Sequence, residues 1–581
     1  MARWTTLLCI ALTISTTAVQ AATFTVDSVA DAPDLIPGDG FCMAAGAVCT
    51  LRAAIMETNA LTGPDIITLP AGDFPLSIGG FGEDGCLTGD LDVTDDVSIA
   101  GAGTSISIID GNGIDRVFDI LGAVLVLSEL SIINGNSGSD RGGCVRNSGD
   151  LTISDADISS CTANWGGGIY NQPDAITELT RVELHHNHAS GPGGGLLNLM
   201  GSLILTDVTV RENISSEGGG ISTGSIEPHG CWATNLTLTS NISTNHGGGI
   251  YAGGEIELTG VLMSDNEALG HGGGLFGLAT ITDFVATGNS AGGYGGGLSL
   301  VGGTGYLDVS NGLIENNEAG YQGGGLSSVQ WGTATLTDVT VRGNTAPHGA
   351  GIHNGYGSSM ELERVTISGN IATGYGAGMT NEGIEYEDAT AHLVNVTISD
   401  NIVNAQNFFG GGGFYNAYGS SSLTNVTIVG NTAGTTYSAG AGLKNAFGNG
   451  TVVVTNSIIA HNHWYWGGGN EDDCAGVITS TGHNITSHAC FNPPHGTDLI
   501  VPDAGVAPLA DNGGPTETCA LLTGSPAVDG ADSANFPAVD QRGAARPFGA
   551  FADVGAFEFG SVPPLIFSDG FESGNTAAWN L

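Results

Sequence analysis

The chain has 581 residues, 97 of them glycine, and carries 58 acids against 12 lysines and arginines, a net charge of −46. Such a surface repels nucleic acid and anionic lipid, so neither is expected as a partner. Only 12% of residues are charged, with Lys444 the single lysine, so the acidity reflects scarce Lys and Arg. Its plain reading is solubility outside a cell. No cofactor is expected, except that holding a polyanionic glycan would require bound cations such as Ca2+.

The first 21 residues read as a secretory signal: Arg3, an apolar core from Leu7 to Ala18, and the small-residue site Val19-Gln20-Ala21. Cleavage near Ala21 and export follow. No later segment approaches the length of a membrane-spanning helix. Nine cysteines remain after cleavage, and export permits disulfides. Proximity pairs Cys42 with Cys49 and Cys474 with Cys490, and Cys144 with Cys161 less directly. Cys86, Cys231 and Cys519 stay unassigned, and no set has metal-ligand spacing.

Residues 22–97 are expected to form an N-terminal cap, and residues 98–470 carry the dominant repeat. A glycine triplet recurs from Gly166-Gly167-Gly168 through Gly323-Gly324-Gly325. It continues as Gly-Ala-Gly ending at Gly351, Gly378 and Gly442, and as Gly-Gly-Gly ending at Gly413 and Gly469. Between triplets lie runs such as Asp338-Val339-Thr340-Val341-Arg342-Gly343-Asn344. Their period of two is that of a strand. One asparagine column precedes the triplet (Asn187, Asn213, Asn241, Asn266, Asn289, Asn317, Asn344, Asn370, Asn462). A second follows it at Asn147, Asn171, Asn198, Asn354, Asn381, Asn416 and Asn445. Self-similarity at this period marks a solenoid whose coils bury their apolar faces on one another. The fold expected is all-β, a right-handed parallel β-helix of about 12–14 coils with three strands per coil. Leucine-rich and ankyrin-type solenoids need helical segments that these repeats lack. The calcium-binding nonapeptide repeat needs an Asp after the glycines.

The segment Phe24 to Cys42, leading into Cys49-Thr50-Leu51-Arg52-Ala53-Ala54-Ile55, resembles the CSLREA motif that opens many secreted bacterial β-helix proteins. Thr50 stands for its Ser and Ala53 for its Glu, so the cap survives while the reciprocal Glu contact is lost. Leu51, Ala54, Ile55 and Thr58 then share one helical face, suited to covering the open end of the first coils. Residues 471–560 hold Asp511-Asn512-Gly513-Gly514-Pro515-Thr516, Gly524-Ser525-Pro526, Asp540-Gln541-Arg542-Gly543 and Asp553-Val554-Gly555-Ala556-Phe557-Glu558. They resemble the choice-of-anchor region that closes such β-helices. Residues 561–581 resemble a short terminal motif of exported proteobacterial proteins, a sorting tag. The resemblance implies a secreted or cell-surface β-helix and transfers no activity.

Parallel β-helices of the pectin-lyase-like fold commonly bind or cleave polysaccharide, yet no catalytic motif is legible. Gly270-His271-Gly272 is a triplet preceded by His, Asp472-Asp473 follows in the wrong order for a polygalacturonase-type site, and Arg181, Arg211, Arg342 and Arg364 are scattered. A cluster of three or more acids with an arginine at one cleft would favour an enzyme. His185-His186-Asn187-His188 and His461-Asn462-His463 invite a metal reading, but adjacent strand residues face opposite ways, so no metal site is expected. One column stands out: Trp165, His246, His271, Tyr294, His348, Tyr375 and Trp466 immediately precede the triplet. Register-locked coils would stack these rings along one corner, either shielding the glycines or receiving sugar rings. The expected function is an adhesin-like binding face for carbohydrate or another surface. A polysaccharide lyase or hydrolase and a purely structural surface component are the alternatives.

Overall fold

The computed structural model describes residues 21–224, 230–303, 305–384, 386–404, 410–434, 440–447, 449–464 and 471–564. The expected signal segment 1–21, apart from Ala21, lies outside them, as do Trp466 and the terminal 565–581. The chain winds into an all-β, right-handed parallel β-helix of about 14 turns. Among the described residues the only α-helix is α1, Leu51–Ala60, and no helix is long and apolar enough to cross a membrane.

One coil shows how the repeat works. Strand Thr333–Arg342 turns through Asp338, which has φ +58°, so its two halves lie in different sheets. The first half pairs with Ser359–Glu363 and the second with Thr366–Ser368. Gly343 (φ +64°) and Asn344 then turn into the short strand Thr345–His348, and Gly349-Ala350-Gly351 into Ile352–Gly355. The coil is thus four-sided, with three strands where the long one bends intact and four where it breaks, and the stacked sides are taken as the first to fourth sheets in chain order. Ala334, Leu336, Val339 and Val341 point inward and are fully buried, as are Val208, Val210, Val365 and Ile367 in their own coils.

Polar columns lock the register. Asn317 donates from its backbone N–H and from Nδ2 to Oδ1 of Asn344, 2.9 and 3.0 Å away, and also from Nδ2 to Ala286 O. The same pattern runs from Asn187 to Asn462, starts at the N–H of Cys161 and ends on Asp473. The outer arginines follow this register too. Arg181, Arg342 and Arg364 pair with Asp155, Glu315 and Asp338, and Arg211 pairs with Glu183, each one coil away.

Helix α1 behaves as a cap. Thr50 accepts from Ala53 N at 3.1 Å, and Leu51, Ala54, Ile55 and Thr58 are buried beside strands Asp65–Thr68 and Leu91–Val93. Parallel pairing reaches further towards the N-terminus than the repeats suggested, because Thr23–Thr25 already joins the ladder beside Asp65–Thr68. The three disulfides Cys42–Cys49, Cys144–Cys161 and Cys474–Cys490 form, and Cys86, Cys231 and Cys519 are free and buried.

The C-terminal segment does more than close the end. Cys490 and Phe491 join the main core, after which residues 504–560 run back along the outer face of the second sheet. Gln541 donates to Thr366 Oγ1 and accepts from Thr397 Oγ1, while Asn425 and Asn456 bond the backbone of Gly555 and Asn535. Strands Thr366–Ser368, Thr397–Ser399, Thr427–Val429 and Ile458–Ala460 are therefore buried on both faces, whereas Thr209–Arg211 is buried on one.

Candidate binding trough

The residues preceding the triplets do align. Arg141 bridges to Trp165, Glu217 to His246, and Tyr294, Gln322, His348 and Tyr375 follow one another in register. His246 and His271 stack at 4.8 Å and 7°, His271 and Tyr294 lie at 4.9 Å, and His348 and Tyr375 stack at 4.0 Å. Gln322 interrupts the rings, and there Tyr321 packs edge-on against both Tyr294 and His348. Nδ1 of His246 accepts from the N–H of His271, and Nδ1 of His271 from that of Tyr294. Both imidazoles are consequently neutral, and burial holds His271 down at about 4. The rings are half-buried, lying partly on one another and partly open to solvent.

Sequence reasoning missed the column beside them. Two residues past each triplet, the outward position of the fourth sheet is held by Tyr170, Leu197, Ser222, Tyr251, Phe276, Ser299, Ser327, His353, Thr380, Tyr415 and Lys444 in turn. These side chains form a floor beside the wall of corner rings, and all but Tyr251, Phe276 and Lys444 are buried. Phe276 stacks on His246 at 4.7 Å, and Tyr415 lies 4.4 Å from Tyr375. At mid-length the floor turns polar. Ser299 Oγ, Ser327 Oγ and His353 Nε2, with Gln322 Oε1 and His348 Nδ1 from the wall, are buried yet make no hydrogen bond within the protein. Each such atom costs about 1–3 kcal/mol when left unpaired, so five in one place form an unusual buried polar patch. Glu382 reaches back over this floor, accepting from Tyr375 Oη at 3.2 Å and Gln322 Nε2 at 3.2 Å. Burial raises its carboxyl above the ordinary glutamate range.

The floor column continues towards the N-terminus as Arg146, Asp119 and Asp92. Here Arg116 bonds Asp90 at 2.9 Å and also reaches Asp119 and Asp140, while Arg146 reaches Asp119 at 2.8 Å and Asp140 at 3.1 Å. A cleft of about 490 Å³ opens onto them, lined by Phe81, Asp115, Arg116, Asp140 and Arg146 among others. Arg141, exposed beside this head, lies 4.5 Å over the Trp165 ring and donates to Tyr170 Oη.

Burial pushes Asp90 up to about 7, and burial together with the Asp90 charge pushes Asp92 up to about 8. Both carboxyls therefore hold a proton in the fold that they release in the unfolded chain above the ordinary carboxylate range. This contribution to stability is present at acid pH and is lost as pH rises through about 7 to 8. Exchange protection of Cys86 to Val93, corrected for the intrinsic rate, should fall from pH 5 to pH 8, and Asp92→Asn should flatten that dependence. A profile equally steep in the variant would place the titrating group elsewhere.

Among the described residues two groups of His, Asp or Glu bring ligand atoms within 4.8 Å of one another: Asp157, Glu183 and His185, and Asp84, Asp92 and Asp119. The His461 cluster instead spends its imidazole on Glu471 and Asp503.

No family model and no curated protein matches the chain. Similar solved structures include two A-modules of Azotobacter vinelandii mannuronan C-5 epimerases. That of AlgE4 is 14% identical, covering 82% of this chain and 100% of its own, with a TM-score of 0.25. That of AlgE6 is 13% identical, covering 74% and 94%, with a TM-score of 0.23. Pectate lyase Pel9A is 10% identical over 93% of this chain and 97% of its own, with a TM-score of 0.20. The activities in those names stay with those proteins.

Proposed function

We propose that this chain is an exported, surface-presented β-helix that binds an extended carbohydrate in the trough between the corner rings and the fourth sheet. The observation that carries the reading is the pairing of stacked, half-open rings with buried polar atoms that have no partner in the protein. Sugars present both complements, apolar C–H faces for the rings and hydroxyls for Ser299, Ser327, Gln322 and His353. The ten rungs from Tyr170 to Tyr415, at about 4.8 Å each, span roughly 40 Å, so the trough suits a chain more than a single sugar. Export rests on the signal-like residues 1–21 and agrees with the three disulfides.

The test is a glycan-array screen followed by affinity measurement with the double variant Tyr294→Ala/Tyr375→Ala. Losing two ring contacts at about 0.5–1.5 kcal/mol each should weaken binding about 5- to 150-fold. Because these rings also stack on His271 and His348, a modest fall in melting temperature is expected alongside. Unchanged affinity in the folded variant would remove the trough from the function. A screen in which no glycan is retained would leave the purely structural reading.

A second reading is supported by the acid–arginine head. Asp115 and Asp140 with Arg116 and Arg146 line one cleft, and Asp90 and Asp119 are buried against the same arginines, an arrangement that favours a polysaccharide lyase or hydrolase. In that case a reducing-sugar or unsaturated-product assay detects turnover that Asp119→Asn and Arg146→Ala abolish while binding along the rings persists. Binding without turnover on every glycan retained by the array would discard it.

A further inference from the structure

We infer that His185, Asp157 and Glu183 form a binding site for one divalent transition-metal ion on the outer face of the second sheet, away from the trough. Side chains two apart on a strand share a face, so Glu183 and His185 both point outward. The preceding coil sets Asp157 directly opposite Glu183 in the ladder. His185 Nε2 comes within 2.7 Å of Asp157 Oδ2, and the ligand atoms of all three lie within 4.8 Å of one another. Arg211 bonds Glu183 through Oε1. One imidazole and two carboxylates, partly exposed and open on the groove side, are a donor set that leaves positions for water or a ligand on the metal.

The surroundings supply a second and independent sign. Protein ligands of such ions are held by an outer hydrogen bond on the far ring nitrogen. His185 Nδ1 lies 2.7 Å from His186 Nδ1, and His186 Nε2 lies 3.0 Å from Glu212 Oε2. A carboxylate–imidazole–imidazole line therefore orients Nε2 of His185 towards Asp157 and Glu183. It exists because His186 has φ +54°, which breaks strand alternation and folds its ring against that of its neighbour. Alternation alone would have sent the two rings to opposite faces. The adjoining groove, about 540 Å³, adds Glu129, Asp155 and Asp207 against Arg181, a field that draws cations. The imidazole selects a zinc-like ion over calcium, whose ligands are oxygens.

The experiment uses the whole secreted chain, stripped with chelator and titrated calorimetrically with Zn2+, then with Co2+ followed by visible absorption. Wild type should bind one Zn2+ per chain that His185→Ala and Asp157→Asn no longer bind. His186→Ala, which touches none of the metal's proposed ligand atoms, should weaken that ion about 10–100-fold. All three side chains are partly exposed, so the apo variants should match wild type in circular dichroism and melting temperature. The proposal falls if no Zn2+ binds, if His185→Ala binds as many ions as wild type, if His186→Ala binds with wild-type affinity, or if Ca2+ binds in place of Zn2+.

Discussion

Asn317→Ala should cost about 3–6 kcal/mol and strip amide protection from the coils around it, among the largest effects expected of a single change in the repeats. The carboxamide oxygen of Asn317 accepts from both the backbone N–H and Nδ2 of Asn289, at 2.9 and 3.0 Å. Its Nδ2 donates to Ala286 O and Asn344 Oδ1. All of this is fully buried, so alanine strands two N–H donors at about 1–3 kcal/mol each and takes one bond from each of two acceptors that keep others. Coils touch only their neighbours, so the loss should be local before it is global. Hydrogen exchange should therefore rise sharply from Asn289 to Asn344 while the first coils stay protected. The exposed substitution Asn311→Ala, at an outer turn with φ +51°, should cost no more than the backbone strain of about 1–2 kcal/mol and leave the ladder protected. Equal effects at both positions would mean that the ladder merely fills space.

Why the repeat is legible and much of the site is not follows from what each position must do. The first glycine of a triplet needs a positive φ, +68° at Gly323, and a Cβ on the second, Gly324, would lie 2.4 Å from Thr345 O. Demands of that kind admit few residues and so recur visibly. Asn401 and Asn431, the latter ending the strand run Asn425 to Asn431, do not fall in the column before the triplet because longer connections separate them from their triplets, yet they bond like the rest. Corner rings such as Tyr294 and Tyr375 were legible as a column because ring after ring recurs there. The floor beside them runs Phe276, Ser299, Ser327, His353, Thr380. An outward position of a sheet imposes no single chemistry, so only the ladder register reveals that these residues are neighbours. The acid–arginine head has the same origin, since Asp92, Asp119 and Arg146 come from three coils. Thr366-Ile367-Ser368 likewise reads like Thr237-Leu238-Thr239, and nothing in either says that one is covered from outside.

That outer cover yields the second large effect. Gly555→Ala should release residues 504–560 from the solenoid, whereas Gly524→Ala in the same segment should not. Both glycines have left-handed backbones, φ +91° and +87°, so each substitution carries a strain of about 1–2 kcal/mol. They differ in what a Cβ meets: nothing within 4 Å at Gly524, but Thr427 Oγ1 at 2.7 Å and Ile458 Cδ1 at 2.8 Å at Gly555. Overpacking adds about 1–3 kcal/mol at Gly555 alone. It also pushes apart the contacts made there, the Gly555 N–H to Asn456 O at 2.8 Å and the Arg546 guanidinium to Gly555 O at 2.8 Å. Arg546 is buried against Glu558 and Asp553, so loosening this point unpairs charge as well as packing. Limited proteolysis should then cut within residues 504–560 of Gly555→Ala, and the bared Val429, Ile458 and Ala460 should make the variant prone to associate. The repeats from about residue 150 to 280 should keep wild-type exchange protection, because that segment bonds the coils from Arg364 onward and otherwise comes no nearer the N-terminus than the cleft that Asp511 and Gly514 to Glu517 share with Asp283 to Arg342. If the two alanine variants were cut alike, the contact at Thr427 and Ile458 would not be what holds the segment down.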